Sequence, residues 1–174
     1  GPGFLSGGQV KALFSTPDIA PTLIDAAGLT VPAGMTGSSL MPMVRDARNT
    51  WRQDVFFQIS ESETGRALRT HRWKYGITAD YDHNSPDAEA YQEVYLYDLD
   101  ADPYEMVNLI GMAPFDTVVA DLRARLLGWI DRIEGKQPEI IPAPMQWPRQ
   151  MRLSHRELAQ EYFSDTTMGM APGD

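Results

Sequence analysis

From Asp54 the spacing of apolar residues changes from helical to alternating, and it stays alternating, with breaks, until residue 99. Val55, Phe57 and Ile59 fall on one face of an extended segment, and Phe56, Gln58 and Ser60 fall on the other. Ser62 to Gly65 suits a hairpin loop, residues 67–70 a second strand, and His71-Arg72 a tight turn. Residues 73–78 then make a third strand with Trp73, Tyr75 and Ile77 on one face, and residues 94–99 a fourth. Helical spacing returns after Pro114: Val118, Leu122, Leu126, Trp129 and Ile133 recur on one side, leaving Asp121, Arg123, Arg125 and Arg132 for the wet side. The expectation is an α+β fold, an antiparallel sheet of about four strands covered by a long helix.

Before Asp54 the pattern is helical. Residues 9–14 suit a short edge strand, and Asp18 is placed as the N-cap of a helix over 18–28, with Pro21 confined to the first turn. Ile19, Leu23, Ile24, Ala26 and Ala27 form its apolar face, and Gly28 is positioned for a left-handed end. A loop over 31–37 leads to a second helix over 39–45, capped by Ser39 and carrying Leu40, Met41, Met43 and Val44. After the long helix, residues 138–148 hold four prolines and show no period, an extended strap. Ser154-His155-Arg156-Glu157 has the spacing of a capping box for a short helix with Leu158 and Tyr162, and residues 165–174 are turn-rich and expected to be mobile. Three parts follow: 1–50, 51–135 and 136–174.

With 174 residues, 43% hydrophobic and 22% charged, the chain has ordinary globular composition. A formal net charge of -9 disfavours nonspecific binding to nucleic acid or an anionic membrane, and no run of about 18 apolar residues suggests a span. Cysteine is absent, which removes disulfides, thiolate metal sites and cysteine nucleophiles and leaves the compartment open.

Few residues invite chemistry. Asp80, Asp82 and Asn84 begin like a calcium loop, but Ser85 and Tyr91 stand where its glycine and bidentate glutamate belong, so a solvated loop over 79–93 is preferred. His71, His83 and His155 have no zinc-ligand spacing. Arg69, His71 and Arg72 at a turn suit contact with an anionic sulfate or sugar, weighed against plain solvation. Glu61, Glu63, Arg66 and Arg69 flank the hairpin tip and read as a surface ion-pair patch. Ser15, Ser38, Ser39 and Ser154 have capping roles, and none lies in a nucleophile elbow. Met35, Met41 and Met43 read as core filling. No catalytic residue and no metal ligand is assigned.

Three segments resemble the sulfatase family, in that family's order. Residues 15–43 match its D-x-x-P-T-L-x-x-x-A-G and G-x-S-L-x-P segments. Residues 51–75 contain W-R-x-x-V-F-F and G-R-A-L-R-T-x-R-W-K-Y. Residues 95–109 match L-Y-D-L-x-x-D-P-x-E-x-x-N-L through Leu96, Tyr97, Asp98, Leu99, Asp102, Pro103, Glu105, Asn108 and Leu109. The resemblance implies the C-terminal portion of a formylglycine-dependent sulfatase of the alkaline phosphatase-like superfamily. It places the nucleophile motif C/S-x-P-x-R and the calcium ligands upstream, so this chain alone is expected to be inactive. It implies a missing N-terminal catalytic domain as partner, a sulfated small molecule or glycan as the parent's substrate, and helices at 18–28 and 39–45 from that domain's outer layer. Gly1-Pro2-Gly3-Phe4 would continue a central-sheet strand, although the first residues read equally as a cloning scar. Stripped of cover, Ile19, Leu23 and Ile24 would promote dimerisation or poor solubility. An accessory or oligomerisation module, with the tail wrapping a neighbour, and a phosphonate or phosphate monoester hydrolase remain as alternatives.

Overall fold

The computed structural model describes residues 9–46, 50–80, 82 and 85–145. The expected 154–157 capping box and its helix, the 165–174 tail, His83, His155, Asn84 and Gly1 to Phe4 lie outside the described residues.

Five strands form one sheet in the order β1-β2-β3-β4-β5: β1 (Asp54–Ser60), β2 (Thr64–Thr70), β3 (Trp73–Ala79), β4 (Ala90–Asp98) and β5 (Glu139–Ile141). The first four pair antiparallel as expected, and β5 adds in parallel beside Ala90 to Gln92, making the sheet mixed. β5 comes from the strap that showed no period, because the open edge of β4 supplies the pairing that three residues cannot specify themselves. The polar excursion is shorter than expected, since β4 already begins at Ala90.

The helix α3 (Asp116–Glu134) covers one face of the sheet. Across that face Phe56, Leu68, Tyr75 and Leu96 stand in register, one from each of β1 to β4. Trp73 and Ile77 also pack there, as their alternation predicts. The stripe Val55, Phe57, Ile59 lies on the opposite face instead: Phe57 and Ile59 are 45% and 39% exposed, and it is Phe56 that stacks on Trp129, with ring centroids 6.3 Å apart. Period two gives the alternation but not which half is covered.

The buried stripe of α3 is Val119, Leu122, Leu126 and Ile130, each contributing about 1.5–3 kcal/mol of apolar burial. Ile133 is exposed, and Arg123 and Arg125 are not on a wet side. Arg123 reaches Glu93, and Arg125 with Trp129 holds Asp54, the indole N–H donating to Asp54 Oδ1 at 2.7 Å. The stripe is displaced because these arginines find carboxylates on the strands beneath.

A bulge in β4 places Gly76 opposite Tyr95 and Ile77 opposite Glu93, leaving Val94 as the extra residue. The Tyr95 ring then lies directly on Gly76, where a Cβ would meet ring carbon at 2.1 Å. Burial pushes the Tyr95 phenol up to about 12.

Residues 9–14 form no strand. α1 (Ile19–Ala26) and α2 (Met41–Arg45) follow, and Gly28 adopts φ +75° after α1, as expected. Asp18 is not a side-chain N-cap of α1. A 3₁₀ turn (Thr16–Asp18) precedes the helix, and Asp18 is fully buried as a cross-link. It accepts from the Ser15 N–H at 2.8 Å, the Ser38 N–H at 2.8 Å and Arg52 Nη2 at 2.5 Å. Burial pulls its pKa up, but the two backbone donors and Arg52 outweigh that and hold the carboxyl below its usual range. The 31–40 loop closes on the same turn. A Cβ on Gly37 would fall 1.9 Å from the Pro17 carbonyl oxygen, and the Leu40 N–H donates to Thr22 Oγ1 at 2.9 Å. Ser39 accepts from the Met41 N–H at 3.1 Å and donates to Asp25 at 2.6 Å, so it serves α2 from one residue before the cap, Leu40.

Candidate functional site

The residues singled out for anion contact separate once their partners are known. Arg72, at the turn between β2 and β3, is held by Asp98: Nε donates to Oδ1 at 3.0 Å and Nη2 to Oδ2 at 2.7 Å. Its guanidinium also lies 4.6 Å from the centroid of Trp73. The fork of two bonds fixes a planar cation and leaves Arg72 a structural residue. The same contact, through its hydrogen bonds and charge, holds the Asp98 carboxyl below its ordinary range. Arg69 stands on the open face between Val55 and Lys74, and His71 is exposed on the turn. Neither side chain has a hydrogen bond or ion pair among the described residues. Of the three candidates, Arg69 and His71 are therefore available for an external anion.

His71 also lines a recess of about 520 Å³ whose other wall comes from far upstream. Lys11, Trp51 and Arg52 share it with Gln9 and Gln53. The Trp51 indole N–H donates to the Leu13 carbonyl at 2.6 Å, and the Arg52 guanidinium sits 4.8 Å from the Trp51 centroid while bonded to Asp18. Those bonds tie the segment over 9–18 to the strand entrance at residues 51–52. Sequence reading does not single out Lys11, Trp51 or Arg52 for this recess. Lys11 and His71 are 60 positions apart, and no local pattern relates them.

The 95–109 stretch is a stapled turn. Asp98 anchors Arg72, and the Val107 N–H donates to Asp102 Oδ2 at 2.8 Å. Glu105, with φ +57°, receives Lys74 Nζ at 2.6 Å. Asn108 stitches the bulge: its Nδ2 donates to the Val94 carbonyl at 2.8 Å, and its Oδ1 accepts from the N–H groups of Leu96 at 3.0 Å and Ile110 at 3.1 Å. The amide thus replaces a missing neighbouring strand where β5 has ended. The turn projects Tyr104, 84% exposed, with Met106 and Val107.

Two further ionic groups are buried. Glu93 accepts from the Tyr75 hydroxyl at 2.8 Å, from Arg123 Nε at 2.9 Å and Nη2 at 2.6 Å, and from the Ala143 N–H at 3.0 Å. Burial, reinforced by this carboxylate, drives the Tyr75 phenol far above its ordinary value, so it stays a donor. Arg66 is 2% exposed, not part of a surface patch. Its Nε donates to Glu134 at 2.6 Å, and its other nitrogens reach the carbonyls of Gly65, Ile59 and Pro86. Both carboxylates are paired with an arginine, so neither cluster offers a free acid or base. No three His, Asp or Glu side chains converge to hold a metal ion among the described residues.

Residues 2–132 match the family described as N-sulphoglucosamine sulphohydrolase, C-terminal. The chain belongs to the sulfatase family, in its C-terminal region. It is 30% identical over 131 residues to human arylsulfatase K, covering 70% of this chain and 23% of that protein. It is 32% identical over 116 residues to the N-acetylglucosamine-6-O-sulfatase of Bacteroides thetaiotaomicron, covering 63% of this chain and 20% of that enzyme. Among solved structures, one bound to its substrate D-glucosamine-2-N,6-O-disulfate superposes with a TM-score of 0.56 at 26% identity, covering 70% of this chain and 24% of that one. The chain thus spans about a quarter of the relatives it matches. The five-stranded sheet with its long helix is the sulfatase C-terminal subdomain, and the stapled 95–109 turn is the family motif seen as physics: Asp98, Asp102, Glu105 and Asn108 each satisfy a specific partner.

Proposed function

We propose that this chain is the C-terminal portion of a sulfuric ester hydrolase acting on a sulfated sugar, and that Arg69 and His71 contact the substrate of the parent enzyme. The observation that carries the reading is the pair of side chains left without partners in a family whose substrates are anionic. A folded protein normally pairs a half-buried guanidinium, so the unpaired Arg69 and, two positions on, the exposed and unpaired His71 favour an external sulfate or hydroxyl. The sugar class rests on two relatives, one named for N-acetylglucosamine 6-O-sulfate and one bound to a glucosamine disulfate.

The family's calcium and formylglycine belong to the parent's catalytic part. The residues described here do not fit either: no carboxylate cluster is present among them, and the nucleophile motif is absent from the sequence. No catalytic step is assigned to this chain. The segment before residue 50, with α1 and α2, is read as the outer layer of the large domain and residues 51–135 as the C-terminal subdomain. The open side chains of Ile19, Leu23 and Leu29 on the first part, and Tyr104, Met106 and Val107 on the second, support burial against the rest of the parent.

Arg69→Ala and His71→Ala in the full-length gene product test the contact. Each is expected to lower kcat/KM for a 6-O-sulfated glucosamine about tenfold, chiefly through KM, with the folded fraction unchanged. Arg72→Ala is expected to act instead through stability. Unchanged kcat/KM in both Arg69→Ala and His71→Ala overturns the assignment.

A further inference from the structure

The recess beneath His71 has a composition unlike the rest of the molecule. The sequence carries 24 acidic against 15 basic residues, yet among the described residues the lining contains Lys11, Arg52 and His71 and no carboxylate. Neither Lys11 nor His71 has a side-chain partner among the described residues. Arg52 is held in place by one bond to Asp18, which leaves its remaining N–H groups free to donate. Trp51 is oriented by its own bond to Leu13 and forms an aromatic wall. Gln9 and Gln53 also line it; the Gln53 Nε2 donates to the Trp51 carbonyl at 3.0 Å, which leaves its Oε1 and the Gln9 amide as neutral groups of the kind that read hydroxyls.

We propose that this recess binds a second anionic sugar unit of the substrate, a saccharide carrying a sulfate or carboxylate that is not the one hydrolysed, with His71 at the junction of the two units and Lys11 serving the second unit alone. The cations of Lys11, His71 and Arg52 take its anionic group by charge-assisted bonds, and the part of the Trp51 indole not covered by the Arg52 guanidinium packs against its ring. A bare anion uses only the first of these features. A neutral saccharide uses only the second. Both walls belong to this chain, one from the upstream segment and one from the β2–β3 turn, so the site forms only where the two are stapled together through Asp18 and Arg52. The inference rests on the sulfated-sugar reading of the parent and extends it to specificity for a chain of sugars rather than a monosaccharide.

Binding to this chain is measured by titration calorimetry at low salt, with the Trp51 indole resonance as a local reporter. The probes are a heparin-derived disulfated disaccharide, its fully desulfated but carboxylated counterpart, a neutral disaccharide and sodium sulfate. Both charged disaccharides are expected to bind and to shift the Trp51 indole, the disulfated one more tightly, and sodium sulfate and the neutral sugar at least about tenfold more weakly. Lys11→Ala and His71→Ala, both at exposed and unpaired positions, are each expected to weaken disaccharide binding about tenfold while leaving the amide spectrum of the sheet unchanged. Unaltered affinity in both variants, equal affinity for sodium sulfate, or binding that leaves the Trp51 indole unmoved overturns the proposal. Because no turnover is read, failure here is separate from failure of the sulfatase reading, which shows as absence of sulfate release by the parent.

Discussion

Replacing Arg66 by alanine is expected to destabilise the folded chain by about 3–5 kcal/mol, the cost of breaking a buried pair by removing one partner. The side chain spans from β2 to the last turn of α3 at Glu134, and to the carbonyls of Ile59, Gly65 and Pro86 at the hairpin end of the sheet. Alanine strands the nearly covered Glu134 carboxylate and removes the Arg66 donors from three carbonyls. Lysine keeps the charge but cannot fork to several acceptors, so Arg66→Lys should recover only part of the loss. Urea unfolding checks both. A midpoint for Arg66→Ala corresponding to a loss below about 1 kcal/mol would show that the cluster is solvated, contrary to its burial.

Glu93→Ala is expected to cost a similar amount, about 3–5 kcal/mol, through a different set of partners. Glu93 joins three layers of the molecule: Tyr75 within the sheet, Arg123 on α3, and the Ala143 N–H in the strap after β5. Removing it leaves a buried phenol with no acceptor and frees the strap. Glu93→Gln keeps an acceptor for Tyr75 but turns an amide N–H toward the Ala143 N–H, a mismatch of about 1–3 kcal/mol. Amide hydrogen exchange separates the two effects. Ala143 should lose protection in both variants, whereas the β2–β3 ladder should lose it only in step with global stability. Retained protection at Ala143 in Glu93→Ala would contradict the role given to this carboxylate.

What could be read from the residues follows from the range of the interactions that decide each feature. Strands β1 to β4 and α3 are specified by spacing within a dozen residues, so Tyr75, Ile77, Leu122 and Leu126 are found where alternation and helical period put them. Gly28 ends α1 because its left-handed φ is a local property. β5 is different: Glu139 to Ile141 have no pattern of their own and become a strand only because β4 offers an edge. The covered face of β1 is not legible because Phe56 and Phe57 are equally apolar, and the choice between them is made by Trp129, more than 70 positions away. The ionic residues were the least legible. Arg66 finds Glu134 across 68 positions and Asp18 finds Arg52 across 34, and exposed and buried arginines look alike in a sequence. The 95–109 motif was recognised as an address in the family. Its chemistry lies in the fold, where Asn108 replaces strand partners at the Val94 bulge.

The candidate site shows the same division. Arg69, His71 and Arg72 are adjacent in sequence, and the structure separates them by pairing Arg72 with Asp98. The acidic Asp80 and Asp82 remain exposed loop residues, as the failed calcium pattern indicates. Nothing in the spacing of the chain connects His71 to Lys11 or Trp51, because their proximity depends on the Asp18 cross-link holding the upstream segment against the sheet.

The most direct test of the account is sulfate release measured on two purified proteins, this chain and the full-length gene product that contains it, with 4-nitrophenyl sulfate and a 6-O-sulfated glucosamine, with and without added calcium. Sulfate release is expected from the longer protein and none above background from this chain under any condition. Turnover by this chain in a preparation free of the longer protein, or a correctly folded and matured full-length product that releases no sulfate, would contradict it.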